Sequence, residues 1–169
     1  MKVAALFSGG KDSTFALWCA QMQGWDIEAL VTVMPESKES WMFHSPAIKW
    51  TRIQAQAMDI PQVMIPTEGV KEKELEDLTR GLETLARSSG IEAIISGAVA
   101  SEYQRTRLDN ICEQLSLKCF APLWHKNQQQ LVKEQVDSGF EIILTACNAL
   151  GLDTTGSERN LDNLSWSNS

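Results

Sequence analysis

A short, largely apolar run, Lys2–Phe7, passes directly into Ser8-Gly9-Gly10-Lys11-Asp12-Ser13 and then into a helical pattern that ends at Gly24. This junction constrains the fold more than any other feature of the chain. An apolar run bounded by Ser-Gly-Gly reads as a buried strand. The spacing from Asp12 to Gln23 predicts a helix, with Gly24 as its C-terminal stop. A helix that starts straight after such a turn offers unpaired backbone N–H groups at the positive end of its dipole, and these bind anions. Gly9 and Gly10 carry no Cβ, so the backbone can turn sharply and come close to a phosphate. Ser8 and Ser13 add hydroxyl donors, and Lys11 adds a point charge. Asp12 is odd in a pure anion site. Its carboxylate makes sense there as a Mg²⁺ ligand or as a helix cap.

Two common glycine-rich loops are excluded. A Walker loop needs glycine at position 5 and Ser or Thr after the lysine, but these are Ala5 and Asp12. A dinucleotide fingerprint needs G-x-G-x-x-G after the first strand, and none is present.

The rest of the chain alternates strand and helix. Ile27–Met34, closed by Pro35, reads as a second buried strand, and Gln62–Ile65 between Pro61 and Pro66 as a third. Between them, Glu36–Ser45 is a polar loop carrying Trp41, Met42 and Phe43. Pro46 then suits the first turn of a helix with Ile48, Ile53 and Ala57 on one face. Lys71–Ser89 is amphipathic, with Leu75, Leu78, Leu82 and Leu85 in one stripe. That stripe suits a core better than a dimer seam, although a homo-oligomer stays open. Ile91–Ser96 is a strand followed by Gly97. Ser101–Leu117 is a helix with Leu108, Ile111, Cys112 and Leu115 inward. Lys118–Leu123, Gln128–Asp137 and Glu141–Ala146 read as strand, helix and strand. The expected fold is α/β with a mostly parallel sheet. The expected organisation is one domain over residues 1–153 and a polar tail over 154–169.

Composition narrows the function. The chain has 169 residues, which suits one core, and its net charge of -7 argues against non-specific binding to nucleic acid. Four cysteines form no C-x-x-C pair and only two histidines accompany them, so a zinc site is not expected. Cys19, Cys112, Cys119 and Cys147 each sit among apolar residues, as small core hydrophobes do. With no signal peptide and no apolar run long enough to span a bilayer, the expectation is a cytoplasmic protein with no membrane contact.

Gly97 closes a central strand, where parallel sheets place their ligand crevice, and a glycine there lets a nucleotide approach the backbone. The helix that follows begins with Ser101, Glu102, Tyr103, Gln104, Arg105, Thr106 and Arg107. Tyr103 and Arg107 share a face. Arg105 and Arg107 point to different faces, so one of them is more readily structural. The plain alternative for both arginines is a solvated, ion-pairing face.

Ser8–Ser13 resembles the SGGKDS loop of the N-type ATP pyrophosphatases. These enzymes cleave ATP between its α and β phosphates and hold the pyrophosphate in the loop. The motif is specific for that superfamily and weak for the substrate. Further stretches resemble one branch, the diphthine–ammonia ligase family. They are Met1–Phe7 running into the loop, Ser40-Trp41-Met42-Phe43-His44-Ser45-Pro46, Gly97–Arg107, Pro122-Leu123-Trp124 and Ala149-Leu150-Gly151-Leu152-Asp153.

The resemblance implies an adenine nucleotide α hydrolase-like sandwich on a five-stranded sheet. It implies ATP and Mg²⁺ as cofactors, ammonium as nitrogen source and elongation factor 2 as protein substrate. A carboxylate on a modified histidine of that factor would be adenylated, and ammonia would then displace AMP. Lys11 and Asp12 would be the catalytic residues, with Asp12 also the metal ligand. Ser8, Gly9, Gly10, Lys11, Asp12, Ser13, Gly97 and Ala98 would hold ATP. His44, Tyr103, Gln104, Arg105 and Arg107 would face the substrate. Trp124 suits packing better than stacking on adenine. The family's pattern continues to a Glu-Gly-Gly-Glu-Tyr-Glu-Thr-like motif that this sequence does not contain. That departure puts amidation in question and leaves ATP binding expected. Two other readings stand beside the ligase: a related enzyme acting on a small-molecule carboxylate or tRNA, and a non-catalytic module that binds ATP or AMP.

Overall fold

The computed structural model describes residues 1–35, 48–70 and 73–143. Its strands are β1 (Lys2–Leu6), β2 (Asp26–Pro35), β3 (Gln62–Thr67), β4 (Ala93–Ile95) and β5 (Lys118–Phe120). They form one sheet in the order β3-β2-β1-β4-β5, and every pairing is parallel. The helices are α1 (Lys11–Met22), α2 (Thr51–Ala57), α3 (Lys73–Ser89), α4 (Glu102–Gln114) and α5 (Gln128–Asp137), with a 3₁₀ turn at Ile48–Trp50 leading into α2. The chain forms two compact units that divide between His125 and Lys126. The sheet and α1–α4 belong to the first. Helix α5 belongs to the second and is capped by Asn127, whose side chain accepts from the backbone N–H of Gln129 and Gln130.

Parallel strands are buried on both faces, which explains the continuous apolar runs in the sequence. Val3, Ala4, Ala5, Leu30, Val31, Ala93, Ile94 and Ile95 are all buried. The leucine stripe of α3 behaves as its spacing predicts. Leu78, Leu82 and Leu85 are buried in a core shared with Val31, Val33, Ile65 and Ile94, and Leu75 packs at its edge. Each fully buried leucine contributes roughly 2 kcal/mol relative to exposure. The opposite face of α3 carries the ion pairs Asp77–Arg80 and Glu83–Arg87.

In helix α2 the face that Ile53 and Ala57 share is the outer one. Ile53 and Ala57 are exposed, while Thr51 and Ala55 are buried. The inner face of α2 meets polar groups of β2, β3 and the loop after β1, so threonine and glutamine serve there where isoleucine would not. Of the predicted strand Glu141–Ala146, Ile143 is an isolated bridge position and 144–146 lie outside the described residues. The aromatic loop 36–45, the expected helix start at Pro46 and the tail 154–169 also lie outside them.

Strand β1 is central, and the chain leaves it towards β2 and β3 before returning to β4 on its other side. A parallel sheet opens a crevice beyond the carboxyl ends of its strands where the winding reverses. Phe7–Ser8 and Ser96–Gly97 emerge side by side at that point.

Candidate functional site

Helix α1 begins at Lys11 directly after the two glycines, with Gly10 as N-cap and no side chain capping it. The N–H of Thr14 is the first to bond within the helix, to Gly10 O at 3.1 Å. The amides of Lys11, Asp12 and Ser13 are therefore the leading edge of the helix dipole. The side chains of Ser13 and Thr14 do not cap these amides. Both hydroxyls donate backwards to Gly10 O, each at 2.9 Å. Ser8 closes the loop: its hydroxyl donates to Ser13 Oγ at 3.2 Å.

A cavity of about 410 Å³ opens beside this helix start. Ser8, Gly10, Lys11, Asp12 and Ser13 supply its polar wall. Val31, Val33 and Ile48 supply an apolar one, and Ser96, Gly97, Ala98 and Gln104 complete it. Lys11 Nζ lies 2.6 Å from Asp12 Oδ1, and both side chains remain partly exposed. The site thus joins an amide-rich end carrying the Lys11–Asp12 ion pair to an apolar wall. It can hold a polyanion at one end and an aromatic ring against the other.

Gly97 lines the cavity, and its missing side chain also serves packing. A Cβ there would lie 2.8 Å from both the Cα and the backbone N of Ser13. The glycine lets the first turn of α1 pack directly onto the end of β4.

The residues Tyr103–Arg107 do not converge on one place. Gln104 lines the cavity. Arg105 Nε donates to Asp109 Oδ2 at 2.7 Å, a bond that raises its already high pKa, and its guanidinium lies 5.9 Å from the Trp124 ring. Arg107 stacks 3.5 Å over Tyr103 and lines a separate groove between α3 and α4. Trp124 stacks on His125 at 4.6 Å and is not among the cavity-lining residues. His44 lies outside the described residues.

Cys112 and Cys119 contact each other; this contact lowers the Cys112 thiol and, with burial, pushes Cys119 well up. Among the described residues no three His, Cys, Asp or Glu side chains converge as a metal cluster. No helix among them is long and apolar enough to cross a membrane.

The residues that sequence reasoning missed lie behind the loop. Thr32 Oγ1 donates to Phe7 O at 2.8 Å. Gln62 Nε2 reaches Thr32 Oγ1 at 2.8 Å and Thr51 Oγ1 at 2.9 Å, and Gln54 Nε2 donates to Gly9 O at 3.1 Å. A threonine in a strand, a threonine and a glutamine in a short helix and a glutamine beside a proline carry no signal until the elements are assembled.

Fold and topology together define an α/β protein with an adenine nucleotide α hydrolase-like fold, with a glycine-rich loop at the switch point of its sheet. A crystal structure described as a predicted subunit of tRNA methyltransferase from Methanocaldococcus jannaschii superposes with a TM-score of 0.55. It covers 91% of this chain and 82% of that one at 17% identity, a likeness of fold. Residues 1–119 match the family model described as "Diphthamide synthase N-terminal domain", and the chain belongs to that family.

Two of its similar relatives are diphthine–ammonia ligases. The Rattus norvegicus protein is 33% identical over 174 residues, and the Schizosaccharomyces pombe protein is 34% identical over 168. Both alignments take in 90% of this chain. The chain spans 64% of the rat relative's length and 28% of the yeast relative's.

Proposed function

We propose that this chain binds ATP and adenylates a carboxylate for amide formation with ammonia, the acceptor being diphthine on elongation factor 2. The observation that carries the reading is the uncapped start of α1, with Gly10, Lys11, Asp12 and Ser13 forming one wall of the cavity. Membership of the diphthamide synthase N-terminal domain family and the names of the relatives supply the acceptor class.

In this reading the β and γ phosphates lie against the loop amides, and adenine lies against Val31, Val33 and Ile48. The carboxylate oxygen attacks the α phosphorus and the bond to the pyrophosphate oxygen breaks, giving an acyl-adenylate. Ammonia then adds at the acyl carbon, AMP leaves, and a proton is released. Lys11 and the amides at the head of α1 offset the charge that grows on the departing pyrophosphate. Asp12, a hard oxygen donor beside the loop, would hold Mg²⁺, which would supply charge neutralisation at the phosphates. Ser8, Gly9, Gly97 and Ala98 complete the set that holds ATP, and Gln104 bounds the side from which the acceptor approaches. We assign Tyr103, Arg105 and Arg107, with His44, to the acceptor side as a wider recognition surface. Catalysis on this account is positioning and electrostatics, with no covalent enzyme intermediate.

The test is pyrophosphate release from ATP with Mg²⁺ and ammonium, with and without diphthine-bearing elongation factor 2. Release that depends on the factor and disappears in Lys11→Ala is the expected result. Tight ATP binding with no factor-dependent release would sink the ligase assignment for this chain.

A further inference from the structure

Gly9 has a left-handed backbone, with φ at 76°. Its carbonyl oxygen is held from behind by Nε2 of Gln54 on α2, at 3.1 Å. The peptide joining Gly9 to Gly10 is planar and trans, so its carbonyl and its N–H point in opposite directions. Tying the carbonyl to α2 turns the Gly10 N–H away from α2, and Gly10 is a cavity-lining residue.

The Gln54 amide makes this bond at some cost. Among the described residues its Oε1 is buried without a hydrogen-bond partner, and an unmet buried acceptor is destabilising. Turning the amide over would set that oxygen against the Gly9 carbonyl, so the orientation serves Gly9. The space is also closed: a Cβ on Gly9 would lie 2.4 Å from Gln54 Oε1 and 3.0 Å from Thr51 Cγ2.

Helix α2 is itself anchored. Thr51 is fully buried, donates to Ile48 O at 2.6 Å and accepts from Gln62 Nε2. Gln62 also bonds Thr32, which holds the carbonyl of Phe7 at the other end of the loop. One short segment therefore carries both a cavity wall, Ile48, and the brace on Gly9.

We propose that Gln54 is a positioning residue of the phosphate loop, fixing the Gly9–Gly10 peptide so that the Gly10 N–H faces the pyrophosphate group. The proposal rests on the reading of the loop as the pyrophosphate site. Its action is through the loop backbone and not by contact with ligand.

Calorimetric titration with inorganic pyrophosphate, ATP and AMP, each with Mg²⁺, tests it on the wild type, Gln54→Ala and Gln54→Met. Met keeps the length and apolar stem of the side chain, and carries the test should the alanine variant fail to fold. Affinity for pyrophosphate and ATP is expected to fall about tenfold, the scale of one hydrogen bond. AMP binding is expected to stay within about twofold, since the lost contact acts at the pyrophosphate end. Unchanged pyrophosphate affinity in both variants would overturn the proposal. So would an equal loss for all three ligands accompanied by a lower melting temperature, which marks a merely structural role. A wild-type protein that fails to bind pyrophosphate would instead overturn the loop reading, and the proposal with it.

Discussion

Helices α1 and α4 both follow a strand of the same parallel sheet and start at its carboxyl edge, and they start in opposite ways. Ser101 caps α4, its hydroxyl accepting from the N–H of Gln104 at 3.3 Å. Gly10 caps α1 with no side chain at all, and the hydroxyls of Ser13 and Thr14 bond the Gly10 carbonyl instead of the helix amides. A capped terminus is satisfied by its own chain, whereas an uncapped one keeps donors for something else. On the proposed reading, the anion end of the cavity is the helix start that carries no side-chain cap.

The sharpest way to break that comparison is Gly97→Ala, which pushes a methyl group into the backbone of the first turn of α1. Backbone cannot swing aside as a side chain can. A loss of about 3 kcal/mol is expected in urea unfolding, with phosphate binding lost in the folded fraction. Lys11→Ala removes a partly exposed charge from the open end. ATP affinity should fall roughly 30-fold, about 2 kcal/mol, in calorimetry, while the melting temperature stays put. Ser101→Ala removes the cap from α4. Stability should drop by about 1 kcal/mol with ATP affinity unchanged, and a large affinity loss would show that the two termini are not independent.

The mildest change sharpens the contrast. Gly10→Ser supplies α1 with the missing cap at a position where, among the described residues, the new Cβ meets Ser8 Oγ at 3.6 Å. Stability should rise by a few tenths of a kcal/mol and ATP affinity should fall, because side chain and phosphate compete for the same amides.

How much of this was legible in the sequence follows from where each signal resides. The loop is contiguous and works through its backbone, so Ser8–Ser13 could be read directly with its strand and helix. The α3 stripe is periodic, so Leu78, Leu82 and Leu85 could be placed inward. Helix α2 is too short for a period to declare itself, and its inner face answers to polar groups of other elements, so spacing could not tell that the face shared by Ile53 and Ala57 points outward. Gln54, Thr51, Gln62 and Thr32 come from three separate elements and meet only in the assembled fold. Arg105 and Arg107 were known to diverge by helical spacing, yet which one met Asp109 and which met Tyr103 depended on their neighbours in space.

The register of the sheet has a consequence for synthesis. Strand β1 pairs with β2 through Lys2 and Asp26, close in sequence, but with β4 through Val3 and Ala93, far along the chain. Nascent chain can form the β1–β2 ladder early. Strand β4 must slide in beside β1 much later, after loop closure over a long intervening segment, which is the slow kind of pairing. Because Gly97 at the end of β4 seats the first turn of α1, the cavity beside α1 is completed only when that late strand docks. A ligand that binds there would therefore recognise finished molecules and pass over half-made ones.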